Sequence, residues 1–173
     1  PAMGAEAFEA ALAADADGAY VRAPLFEGEA AEAGPLARRT GHPLIVALLD
    51  RYGNGVLARL AARLVDMQAA LEEMTKQGSA LPPPRAARPL APGTGSGTGL
   101  VEAARGLLVH RVEITEGMVR RWQILAPTEW NFHPHGPLAR GLERAHVGNR
   151  AEALARLAVI ALDPCVACEV KLR

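Results

Sequence analysis

The chain has 173 residues, and Lys plus Arg balance Asp plus Glu at 19 each, so no net charge draws it toward nucleic acid or an anionic bilayer. Its two cysteines cannot build a secreted disulfide framework, and no apolar run reaches the roughly 18 residues of a spanning helix. The expectation is a cytoplasmic protein without nucleic-acid binding or direct membrane insertion, large enough to bury a core without staples.

The opening PAMG carries no structural meaning, and residues 1–19 are set apart as an N-terminal remnant with a short helix. AEAFEAALAADA at 5–16 favours helix but offers only Phe8 and Leu12 as large anchors, so docking has to hold it. YVRAPLFEG reads as extended or loop-like, and Gly34-Pro35 interrupts the chain after it.

The strongest helical signal runs from Pro43 to Gln77, broken once at Gly53-Asn54-Gly55. Its second part places Val56, Leu60, Leu64, Met67 and Leu71 on one apolar stripe, which predicts an amphipathic helix about 30 Å long packed on other helices. Residues 78–99, GSALPPPRAARPLAPGTGSGTG, are expected to be a Pro/Gly-rich loop or linker. GTGSGTG lacks the preceding strand and the Lys-Ser/Thr of a phosphate-cradling loop, so a nucleotide site is not expected there.

LLVHRVEI, TEG and MVRRWQIL predict a β-hairpin turning at Gly117, with Leu108, His110, Val112 and Ile114 alternating against Val109, Arg111 and Glu113. One hairpin needs a cover, and the long helix is the natural candidate. APTEWNFHPHGP reads as a polar and aromatic loop, 138–147 as a short helix, and AEALARLAVIAL at 151–162 as a helix that Pro164 brings to an end. The sum is a mostly helical α+β fold: one domain over 20–173, with a long amphipathic helix packed with other helices and one β-hairpin.

Both cysteines, Cys165 and Cys168, fall in DPCVACEVKLR at the end of the sequence. Thiolates at this spacing chelate a soft metal or exchange disulfides, and idle thiols are the third reading. Of the five histidines, His110, His133, His135 and His146 could complete a metal site in space.

Four stretches, in order, carry a resemblance to the large subunit of the nickel-iron hydrogenases. FEGEAAEAGPLAR at 26–38 resembles that family's segment ending in glycine-proline-leucine-alanine-arginine, and VEAARGLLVH at 101–110 its glutamate-alanine-proline-arginine-glycine motif with a downstream histidine. LAPTEWN at 125–131 is similar to its proline-threonine-x-tryptophan-asparagine motif, and DPCVAC at 163–168 to its carboxy-terminal cysteine motif.

The resemblance implies a hydrogenase-large-subunit-like fold and a set of roles. In the family four cysteines hold nickel together with an iron that carries cyanide and carbon monoxide. Cys165 matches a terminal nickel ligand, Cys168 the ligand bridging both metals, Arg105 an arginine over the diatomic ligands, and Asp163 the acid that orients it.

The departures are specific. Ala104 replaces the proline before Arg105, Lys171 stands where the family has a metal-binding histidine, and the family's second cysteine pair has no counterpart in these residues. Half a ligand set does not support catalysis. The resemblance is therefore closest to large-subunit-like accessory proteins of hydrogenase maturation. It implies a non-catalytic scaffold that holds an iron-cyanide-carbon monoxide fragment transiently on Cys165 and Cys168, with nickel less favoured, and with hydrogenase assembly proteins or the large-subunit precursor as partners. The alternatives are the C-terminal portion of a catalytic large subunit, or a structural interaction protein with inert thiols.

Overall fold

The computed structural model describes residues 5–78, 94–145 and 148–171. In chain order these form α1 (Ala5–Ala14), α2 (Ala19–Arg22), α3 (Pro35–Arg39), α4 (Pro43–Tyr52) and α5 (Val56–Gln77), then β1 (Gly95–Ala103), β2 (Gly106–Thr115) and β3 (Met118–Leu125), then α6 (Pro127–Asn131), α7 (Pro137–Glu143) and α8 (Ala151–Leu162). The fold is mostly helical with one small antiparallel sheet, in the strand order β1-β2-β3.

The expected hairpin is β2 and β3, turning at Glu116-Gly117 with both residues at positive φ. A third strand joins it, because the glycine-rich run expected to be loop pairs Gly95, Gly97 and Gly99 with Ile114, Val112 and His110. Alternating Ser96 and Thr98 hydroxyls give that run its anchor: both donate to Glu9 on α1, Ser96 at 3.1 Å. Residues 79–93 of the expected linker lie outside the described residues.

The sheet is covered by α1, not by the long helix. Phe8 and Leu12, the only large anchors of α1, are buried with Val109, Leu125 and Trp130 in one core. A polar network closes the same face: Arg111 donates from Nε to Glu9 at 2.9 Å and also pairs with Glu113, while Gln123 donates to the carbonyl of Leu12 at 2.9 Å. Buried Arg111 therefore keeps its charge compensated, as a buried guanidinium must.

The Pro43–Gln77 segment divides as the sequence predicts, at Gly53 to Gly55, into α4 and α5. The packing of α5 differs from expectation. It buries Ala58 and Ala62 in a second core with Leu36 and Ile45, where small side chains let the helices approach closely, and buries Arg59 in a pair with Glu32. The large stripe faces outward instead: Leu64 is 68% exposed, Met67 62% and Leu71 61%, and no described residue covers it. On its buried side α5 meets α3, α4 and α8.

Two expected loops contain short helices. α2 follows Gly18, and PTEWN forms α6, where Pro127 sits at the first helical position and Glu129 reaches back to accept from the amide of Ala126 at 2.8 Å. α7 lies where a short helix was predicted, and α8 occupies 151–162 as read from the sequence.

Candidate functional site

The GPLAR, ARG and PTEWN stretches, far apart in sequence, meet backbone to backbone. Gly34 precedes α3 with φ 121°, and a Cβ there would lie 2.8 Å from the carbonyl oxygen of Arg105. Gly106 has φ 134°, and its Cβ would lie 3.0 Å from the amide nitrogen of Gly34 and 3.2 Å from Cβ of Pro127. Only glycine allows this close approach.

Side-chain hydrogen bonds fix the junction. Asn131, the last residue of PTEWN, donates from Nδ2 to the carbonyl of Ala33 and accepts at Oδ1 from its amide, both at 2.9 Å. Arg38, the last residue of GPLAR, donates to the carbonyls of Ala103 at 3.2 Å and Ala104 at 2.8 Å, bracing the β1–β2 turn that carries Arg105. The same guanidinium holds Asp66 of α5 at 2.6 Å and pairs with Glu102, and Arg39 reaches Asp66 at 2.7 Å. The carboxyl of Asp66 is held below its usual range, chiefly by the hydrogen bond from Arg38.

Arg105 projects from the turn toward the end of α8. There Asp163 caps the helix at φ 52° and ψ 64°, a left-handed conformation that Asp tolerates better than most residues, with its amide donating to the carbonyl of Val159 at 3.0 Å. This turn aims the carboxylate at Arg105, whose Nε donates to Oδ2 at 2.8 Å. Arg63 of α5 brings Nη2 to 3.3 Å from the same oxygen. The two predicted residues, Arg105 and Asp163, are thus brought together, and Arg63 joins them although sequence reasoning did not single it out.

A cavity of about 480 Å³ opens beside this trio. Its walls include Glu32 and Arg59, paired twice at 2.9 Å, together with Leu36, Met67 and Leu162.

From Asp163 to Lys171 the chain runs on without regular structure, and Cys165 and Cys168 are both exposed free thiols. The amide of Cys165 donates to Oγ1 of Thr128 on α6 at 3.4 Å, which ties the cysteine segment to the PTEWN helix. Lys171 pairs with Glu169 at 3.0 Å.

The two thiols offer soft donors suited to iron or nickel. Among the described residues no group of three or more His, Cys, Asp and Glu stands close enough to hold a metal. His133 is buried and accepts at Nδ1 from the amide of His135, and His110 accepts at Nδ1 from the indole of Trp122, each at 3.0 Å. His146 lies outside the described residues. Among the described residues, then, no third His, Cys, Asp or Glu joins the two thiols in a metal-holding group.

Comparison with known proteins places this arrangement. The family model described as nickel-dependent hydrogenase matches residues 3–171. The hydrogenase expression/formation protein HupK of Azotobacter vinelandii is 39% identical over 161 residues, covering 92% of this chain and 42% of the relative. The hydrogenase expression/formation protein HupV of Azotobacter chroococcum is 42% identical over 140 residues, covering 80% and 37%, and the hydrogenase-2 large chain of Escherichia coli is 29% identical over 197 residues, covering 89% and 34%. A solved [NiFeSe] hydrogenase from Desulfovibrio vulgaris Hildenborough superposes with a TM-score of 0.66 at 25% identity, covering 88% of this chain and 38% of that one. The chain thus spans about two fifths of the length of these proteins. The chain belongs to the nickel-dependent hydrogenase family.

Proposed function

We propose that this chain serves as a non-catalytic accessory protein in nickel-iron hydrogenase maturation, holding an iron fragment that carries cyanide and carbon monoxide as transient cargo. The observation that carries this reading is the likeness to HupK, a hydrogenase expression/formation protein, at 39% identity across 92% of the chain. The similarity to a hydrogenase large chain is lower, at 29%.

The chemistry supports the same direction. Cys165 and Cys168 supply two thiolates to the cargo and leave its other coordination positions open, which suits a carrier that must release what it holds. Thr128 steadies the backbone at Cys165, and Asp163 orients Arg105, whose terminal nitrogens are free to donate to an acceptor nitrogen on the cargo. Lys171, in place of the family's histidine, presents an ammonium that cannot ligate the additional metal ion found there in the catalytic proteins.

The partners that fit are the assembly proteins and the large-subunit precursor. The test is co-expression with hydrogenase assembly proteins, anaerobic purification and iron determination. Iron should accompany the unaltered chain and be lost from Cys165→Ser and Cys168→Ser, while both variants keep the native circular dichroism spectrum. Equal iron in all three chains would remove the thiolates from the proposal.

A further inference from the structure

We infer that the exposed face of α5 is an interface for a second copy of this chain, whose own α5 lies against it in the antiparallel direction.

The period of the face makes the case. Leu57, Leu60, Leu64, Met67, Leu71 and Met74 follow one another at alternating steps of three and four, which is the a/d pattern of a coiled coil. A helix that packs only into its own domain shows a broader apolar face, whereas strict alternation gives the narrow seam of helix on helix. All six side chains are exposed, from 36% at Leu60 to 69% at Met74. The fold itself uses the opposite side of α5, through Ala58, Arg59 and Ala62. From Leu71 to Gln77 every residue is exposed, so the end of the helix stands clear of the other described residues.

The seam is its own complement. An antiparallel copy sets Leu57 opposite Met74, Leu60 opposite Leu71 and Leu64 opposite Met67, so every position of the seam meets a large apolar side chain. The positions beside the seam include Ala61, Gln68, Ala70 and Thr75, which carry no charge to select a partner of opposite sign. Arg63, the charged residue among them, is turned to Asp163 of its own chain at 3.3 Å and falls opposite Ala70 of the other copy. Two copies therefore meet without like charges in contact.

The ends of the helix set the direction. Glu72 and Glu73 lie near its C-terminal end, where the helix dipole is also negative. A parallel pair would gather four carboxylates and both negative ends together. The antiparallel pair separates them and lays each acidic end beside the dipole-positive start of the other helix.

Size sets the strength. The 22 residues of α5 make a rod about 33 Å long, and its seam is smaller than a standard interface, which buries about 800 Å² per partner. The dimer is accordingly reversible, with a dissociation constant on the order of micromolar. The inference goes beyond the accessory reading and shares none of its residues: Arg105, Asp163 and both cysteines lie outside the seam.

The test is sedimentation velocity of the full chain from about 1 to 200 μM, with circular dichroism as the check on folding. The expected result is a rise from the 18.2 kDa monomer toward about twice that mass. The Leu64→Gln, Leu71→Gln double variant should associate about tenfold or more weakly, yet unfold like the unaltered chain in dilute solution, where both are monomers. Leu25→Gln, at an exposed leucine outside α5, should associate as the unaltered chain does. Direction is read by mild oxidation in a Cys165→Ser, Cys168→Ser background. Leu57→Cys mixed with Met74→Cys should cross-link, and neither alone should; if the double glutamine variant fails to fold, this cross-link decides the question. A monomer at every concentration, association untouched by the double variant or equally lost in Leu25→Gln, or cross-linking of Leu57→Cys with itself would overturn the proposal. None of these outcomes bears on iron binding by the thiols, so the cargo reading stands or falls separately.

Discussion

Arg105 and Asp163, 58 positions apart in sequence, meet at 2.8 Å between Nε and Oδ2. The contact joins a β-turn to the end of a helix. Both side chains are nearly half exposed, so the pair contributes little to stability and serves chiefly to fix a direction for the guanidinium.

Asp163→Asn should therefore fold normally, since Asn also tolerates the left-handed cap, and should shift unfolding by less than about 1 kcal/mol. Asp163→Ala should cost more, about 1–2 kcal/mol, because alanine is strained at φ 52°. Urea denaturation distinguishes the two, and equal losses would mean that the ion pair outweighs the backbone.

Gly34→Ala meets the carbonyl oxygen of Arg105 at 2.8 Å from its new Cβ and sits at φ 121°, so a destabilisation of about 2 kcal/mol or more is expected. Gly97→Ala on β1 has nothing within 4 Å of the added carbon and an ordinary strand backbone, so it should be neutral or slightly stabilising. Thermal unfolding of the two variants side by side checks the contrast.

Leu64→Gln, on the outward stripe of α5, should change the free energy of unfolding by no more than about 0.5 kcal/mol. Ala62→Leu, at a position with no exposure, should cost about 1–3 kcal/mol by overpacking against the core of Leu36 and Ile45. A large loss in Leu64→Gln would show that the stripe is covered in solution.

Much of the fold was legible from spacing. Gly53 to Gly55 marked the break between α4 and α5, and alanine and leucine content placed α8, because both are local signals. The orientation of α5 was not legible: periodicity identifies an apolar stripe, but it cannot say that Ala58 and Ala62 offer the closer fit. For the same reason the cover of the sheet was misassigned. Glu9, which selects α1 for that role through Ser96, Thr98 and Arg111, looks in sequence like any solvent-facing glutamate.

In the site, Arg105, Asp163 and the two cysteines stood out through their motifs. Arg63 and Asp66 did not, since an amphipathic helix ordinarily carries such charges on its exposed face. Asn131 and Arg38 were present in the quoted motifs, yet their hydrogen bonds to Ala33, Ala103 and Ala104 depend on contacts that only the folded chain creates.

Acid should weaken the fold through two carboxyls held below their usual range: Glu9, first by the hydroxyl of Thr98, and Asp66, first by Arg38. A lowered folded-state pKa adds stability that is fully present above the unfolded value and is lost as pH falls through the folded value. Urea midpoints should thus be flat at neutral pH and fall below about pH 4. Asp66→Asn should be less stable at pH 7 and show a shallower acid limb; an unchanged limb would assign the loss to other groups.

The central claim is that the thiol pair holds an iron fragment bearing cyanide and carbon monoxide. Infrared spectroscopy of the chain, co-expressed with hydrogenase assembly proteins and purified without oxygen, tests it most directly, because those stretches fall where polypeptide is silent. The expected result is cyanide and carbon monoxide bands in the unaltered chain that disappear in Cys168→Ser. A stable, folded, co-expressed chain that shows no such bands and contains no iron would contradict the claim.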